Sequence, residues 1–147
     1  FFSAFLYLAM ANDAIDKGYL GTGKWMSIQF KEEQEHALKF AKYLQDQGVK
    51  VELAAMAAPK KVWKGILDMF QEALAHEKKV TAWIYGLNAL ATKEKDYATQ
   101  SMLKWFIDEQ VEEEANCMEA ISALSLVGTS AGSAYMVDRH IGKRGQS

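Results

Sequence analysis

From residue 66 to residue 91, one series of positions alternates four and three apart: Ile66, Phe70, Ala73, Glu77, Val80, Ile84, Leu87 and Ala91. That rhythm marks one face of an α-helix packed near-parallel to its neighbours. Met26, Phe30, Glu33, Ala37, Phe40 and Leu44 repeat it. So do Met102, Phe106, Glu109, Glu113, Cys117 or its neighbour, Ala120, Leu124 and Val127. The spacing predicts five helices. The first runs from Phe1 to about Lys17 and is broken by Gly18, Gly21 and Gly23. The second runs from about Lys24 to Gln47 and stops at Gly48, and a weakly periodic connection with Pro59 follows to about Lys64. The third covers about Gly65 to Thr92, and the fourth runs from an Asp96 N-cap to about Val127. After a loop at Gly128-Thr129-Ser130-Ala131-Gly132, a short fifth helix covers about Ser133 to Ile141.

Loop lengths predict the topology. Short loops join the first helix to the second and the third to the fourth, so each pair is antiparallel. The connection of about seventeen residues between the second and third helices can reach about 55 Å when extended. The second helix is only about 36 Å long at its normal rise. The connection can therefore cross the whole bundle and set those two helices parallel. The expected fold class is all-α, a four-helix bundle with one long crossover and a short C-terminal helix, in a single domain over residues 1–147.

Each apolar stripe is interrupted by acid. Glu33 and His36 stand on the second helix, Glu77 on the third, and Glu109 and Glu113 on the fourth. Ionised groups are costly to bury unless something compensates them. No Lys or Arg shares those stripes, whereas a bound cation compensates carboxylates directly. The heights agree. Glu77 and Glu113 lie equally far on either side of a turn near Lys95. Glu33, His36 and Glu77 lie within about one helical turn of each other, counted from the common end of their helices. Tyr7 lies opposite Glu33 across the first turn. Carboxylates with an imidazole suit hard to borderline divalent ions such as Fe²⁺ and Mn²⁺, and Glu-x-x-His sets both donors on one helix face.

Composition narrows the function. The chain has 147 residues, half of them hydrophobic, and a single proline. Its net charge of -2 comes without a basic patch, which speaks against nucleic-acid binding. Cys117 is the only cysteine, so neither an intrachain disulfide nor a cysteine zinc site is available. No apolar run is long enough to span a bilayer. The opening Phe1–Ala11 has no basic leader and reads as a helix whose first turns lie outside this sequence. Met10, Met26, Met69 and Met102 read as core filling.

Together, Tyr7, Trp25, Glu32-Glu33-Gln34-Glu35-His36, His76-Glu77, Trp105 and Glu109-Gln110-Val111-Glu112-Glu113-Glu114 resemble the motifs of the ferritins, specifically the bacterial and archaeal non-haem ferritins. The similarity spans the whole chain. It is weaker to bacterioferritins and rubrerythrins, whose fourth helix carries a second Glu-x-x-His. The resemblance implies a ferroxidase that oxidises Fe²⁺ with O₂ at a dinuclear centre and deposits hydrated ferric oxide in a cage. It implies that Glu33 bridges two irons, that His36 completes the first site, and that Glu77 and Glu113 hold the second. Glu32, Glu109, Glu112 and Glu113 match a third iron position, and Gln110 lies beside the pair. Tyr7 and Trp105 match aromatic residues that donate electrons to reduced oxygen. The family's glutamate on the first helix would fall one residue before Phe1. The resemblance further implies a homo-oligomer of twenty-four subunits, a cytoplasmic location, no haem, and no nucleic-acid or membrane partner. Two alternatives remain: a cage subunit that stores or nucleates iron with impaired oxidation, and a di-iron redox protein outside any cage.

Overall fold

The computed structural model describes residues 1–128 and 130–144, so Thr129 of the expected loop lies outside the described residues. Five helices follow in order: α1 (Phe2–Asp16), α2 (Leu20–Asp46), α3 (Ile66–Lys93), α4 (Tyr97–Val127) and α5 (Ala131–Ile141). Among the described residues there is no strand. None of the described helices is long and apolar enough to cross a membrane. The chain forms two compact units, Phe1–Met69 with Leu124–Ser147, and Phe70–Ala123.

In the first unit α1 packs along α2. Ala4, Leu6, Tyr7, Met10, Ala11 and Ala14 of α1 and Trp25 and Met26 of α2 are buried. The first two helices end ahead of Gly18 and Gly48 as the spacing predicts, and these glycines take positive φ of 84° and 76°. There the chain reverses with paired bonds, such as Tyr19 N–H to Ala14 O at 2.9 Å and Gly18 N–H to Ile15 O at 2.9 Å.

The start of α2 differs from the expectation. Gly21 and Gly23 do not break the chain; they form the first turn of a helix that begins at Leu20. The reason is tertiary. Asp138 of α5 reaches over this turn, its carboxylate accepting from Gly21 N–H at 2.9 Å and from Thr22 N–H at 2.6 Å. These are donors that a helix N-terminus leaves without partners of its own. A Cβ on Gly21 would come within 1.8 Å of Asp138 O, so only glycine admits this approach. Asp138 is therefore an N-cap borrowed from 116 residues away. Asp138→Ala should destabilise the fold by about 1–2 kcal/mol, the cost of a lost cap. Urea denaturation followed by circular dichroism checks it, and a loss below about 0.5 kcal/mol would show that this turn needs no outside partner.

The crossover lacks regular structure but is anchored at its far end. Trp63 is buried at 2% exposure. Its backbone N–H donates to Asp13 Oδ2 at 3.1 Å, and its carbonyl accepts from Lys17 Nζ at 2.6 Å. Lys17 also pairs with Asp13, and Lys60 Nζ lies 5.3 Å from the Trp63 ring centroid. The crossover thus returns to the end of α1, where α2 begins.

In the second unit α3 turns into α4 through Lys95, which takes a left-handed φ of 56°. Asp96 N–H bonds to Ala91 O at 2.9 Å and Lys95 N–H to Thr92 O at 3.1 Å, the same closure as at Gly18. A lysine in that conformation costs about 1–2 kcal/mol relative to a right-handed one. Asp96 caps α4 as expected, accepting from Thr99 N–H at 3.0 Å and Thr99 Oγ1 at 2.6 Å. The Thr99 hydroxyl bond first, then the backbone bond, lowers the Asp96 pKa below 3.8.

Two stripes shift. On α4 the buried positions are Leu103, Phe106, Gln110, Glu113, Cys117, Ala120 and Leu124. Gln110 thus takes the place expected of Glu109, and Leu103 that of Met102. On α3 the buried set passes from Ile84 to Ala91 while Leu87 is 46% exposed. An alternation of four and three averages 3.5 residues per turn, whereas a straight helix has 3.6, so the true face drifts off the expected one. The C-terminal helix starts earlier than expected, at Ala131, because Ser130 caps it by accepting from Ser133 N–H at 3.2 Å.

Candidate metal centre

The first unit contributes a carboxylate–imidazole pair. Glu33 lies 7% exposed on α2. Its Oε1 is 3.1 Å from His36 Nδ1, one turn further along the same face. The i, i+3 spacing read from the sequence therefore produces a real contact. Tyr7 is fully buried, and its ring centroid lies 6.3 Å from that of Trp25. Glu32, half-buried, points to a different partner. Its Oε2 accepts from Arg144 Nη2 at 3.0 Å.

The second unit contributes a buried carboxylate held by an amide. Glu77 on α3 is fully buried and Glu113 on α4 is 2% exposed. Gln110 Nε2 donates to Glu77 Oε2 at 3.1 Å, and approaches Glu77 O and Thr81 Oγ1 at 3.2 Å each. Thr81 Oγ1 donates to Glu114 Oε1 at 2.7 Å. These contacts bracket the level at which Glu77 and Glu113 face each other, so the height argument holds for that pair. Gln110 can only donate through its amide nitrogen, which fixes its carbonyl oxygen at the opposite end of the group. Glu109 is half-buried and Glu112 exposed. Trp105 is 38% exposed and meets Phe106 edge-on at 4.9 Å between centroids.

Burying Glu33, Glu77 and Glu113 is costly unless their charges are compensated. The donor chemistry fits the compensating group inferred from the sequence, since oxygen-rich sets with an imidazole favour hard to borderline divalent ions. Two contributors escaped the sequence reading. Thr81 has no signal beyond lying one turn after Glu77 on α3. Arg144 lies outside every periodic stripe, in the turn after α5.

A ferritin-like domain model, that of the ferritin family, matches residues 1–127. The chain belongs to the ferritin family. It is 38% identical over 144 residues to the bacterial non-heme ferritin of Staphylococcus aureus, covering 98% of this chain and 87% of that one. The non-heme ferritin of Staphylococcus haemolyticus is 39% identical over the same shares. Among solved structures, an open-pore ferritin from the archaeon Archaeoglobus fulgidus superposes with a TM-score of 0.94 at 36% identity, covering 97% of this chain and 88% of that one. A humanized archaeal ferritin gives a TM-score of 0.94 at 34% identity, with the same coverage. The fold of this ferritin is thus the all-α, ferritin-like bundle with a long crossover and a short fifth helix that the periodicity predicted. Its buried acids belong to a family whose function is iron storage.

Proposed function

We propose that this ferritin is a ferroxidase that oxidises Fe²⁺ with O₂ and stores the product as hydrated ferric oxide. The observation that carries the reading is the burial of Glu33 beside His36 in one unit, and of Glu113 and of Glu77 held by Gln110 in the other. Iron is the substrate. Glu33 bridges two ions, His36 completes the first site, and Glu77 and Glu113 hold the second. Glu33 and His36 each offer one donor atom from the same face of α2. Gln110 restrains Glu77 beside the pair, and Glu32, Glu109, Glu112 and Glu113 receive a third iron. Anionic oxygen donors stabilise Fe³⁺ more than Fe²⁺, which favours oxidation. Each Fe²⁺ loses one electron to O₂, and the reduced oxygen takes up protons from water. In this reading Tyr7 and Trp105 donate further electrons. Fe³⁺ then hydrolyses and precipitates.

We read the whole chain as one ferritin-like domain of a cytoplasmic cage of twenty-four subunits. Trp83, Leu87 and Leu90 share one face of α3 and are 64%, 46% and 55% exposed. Apolar surface of that kind supports contacts between copies.

Anaerobic loading with Fe²⁺ followed by air tests the chemistry. Fast oxidation at low loading is expected. Slow uptake without it would favour the storage-only subunit, and a monomer or dimer on gel filtration would defeat cage storage. Glu77→Ala should remove one tightly bound Fe²⁺ per subunit in an anaerobic titration; unchanged stoichiometry would refute the ligand assignment.

A further inference from the structure

The guanidinium of Arg144 is held at three points along one face of α2. Its Nη1 donates to Gln29 Oε1, a group with no exposed surface. Its Nη2 donates to Glu32 Oε2 at 3.0 Å. Its Cζ lies 4.6 Å from the centroid of the Trp25 ring. Residues 25, 29 and 32 run along α2 at i, i+4 and i+7, and the next step on that face is Glu33 with His36. The turn after α5 is itself pinned to α2. Lys24 Nζ donates to Gly142 O at 3.1 Å, and a Cβ on Gly142 would meet Gly21 Cα at 2.7 Å. The cation is therefore built in, and it has contacts to Gln29 and Trp25 besides the one to Glu32.

A guanidinium paired with a carboxylate offsets its negative charge and competes with a divalent ion for it. We propose that Arg144 is a charge latch on Glu32: it occupies this carboxylate in the iron-free chain and yields it when a divalent cation arrives. The C-terminal turn thereby sets the affinity of the outer iron position and reports its filling. This rests on the reading that Glu32 receives iron. The Glu32 side chain is 37% exposed and that of Arg144 is 21% exposed. Solvent screens a pair of that kind in part, so the latch tunes affinity without closing the site.

The test is an anaerobic Fe²⁺ titration of the assembled protein by calorimetry, with wild type, Arg144→Ala, Arg144→Lys and Glu32→Ala. In Arg144→Ala the weakest equivalent per subunit should bind about tenfold more tightly, as expected for removing a nearby positive charge, while the two tighter equivalents keep their affinity. Arg144→Lys should fall between, since lysine keeps the charge and loses the fork. Trp25 emission should change with the weak equivalent in wild type and not in Arg144→Ala. Glu32→Ala should abolish the weak equivalent. If Glu32→Ala abolishes it but Arg144→Ala leaves its affinity unchanged, the latch is overturned. If Glu32→Ala changes nothing, the assignment of Glu32 to iron fails, and the latch falls with it while the dinuclear reading stands.

Discussion

Glu33→Gln should slow the rapid phase of Fe²⁺ oxidation by about 100-fold or more. The basis is that even partners of metal ligands, one shell out, typically cost 10–100-fold when lost, and in the proposed centre Glu33 would touch both ions. Glutamine keeps the shape of the side chain and removes the negative charge. The bond between His36 Nδ1 and position 33, now 3.1 Å, can persist through the amide oxygen. A structural failure and a chemical one are therefore separable: circular dichroism and assembly should match wild type while oxidation at two Fe²⁺ per subunit falls to the uncatalysed rate. Stopped-flow absorbance after mixing with aerated buffer measures it. Oxidation within threefold of wild type would remove Glu33 from the centre.

The second large effect concerns stability. Trp63→Ala should cost about 3–5 kcal/mol, the range for deleting a buried aromatic side chain. It should lower the thermal midpoint by roughly 10 °C at matched subunit concentration. The loss arises because Trp63 is the anchor that ends an otherwise irregular crossover. Trp63→Phe should cost much less. The Trp63 Nε1 is buried without a hydrogen-bond partner among the described residues, so phenylalanine removes an unsatisfied donor along with some volume. Urea denaturation of the three proteins checks the order. A loss below about 1 kcal/mol in Trp63→Ala would mean that the crossover is held elsewhere.

Most of the helical architecture was legible because periodicity is a local property. The helix ends at Gly18 and Gly48 were readable because glycine tolerates the left-handed turn that ends a helix. The turn at Lys95 carries no such residue, and its conformation follows from the bonds to Ala91 and Thr92. The start of α2 was misplaced for a different reason. Glycines normally interrupt helices, and here Asp138 accepts from the Gly21 N–H and caps the turn in which Gly21 is helical. The site shows the same division. Glu33, His36, Glu77 and Glu113 stand out as polar residues on apolar faces, and all but half-buried His36 are buried. Glu109 was placed one position off the buried face, because a 3.5-residue rhythm only approximates a 3.6-residue helix.

By itself, then, the order of amino acids determined the helices, the crossover and the residues whose burial demands a cation. Each of these depends on spacing within one helix or on the reach of a loop. The tertiary structure decided what sequence-distant groups do to one another: Asp138 capping α2, Trp63 anchoring the crossover on α1, Gln110 holding Glu77, and Arg144 occupying Glu32. Those pairings are set by side-chain direction and close approach in three dimensions, and no periodicity along the chain encodes them.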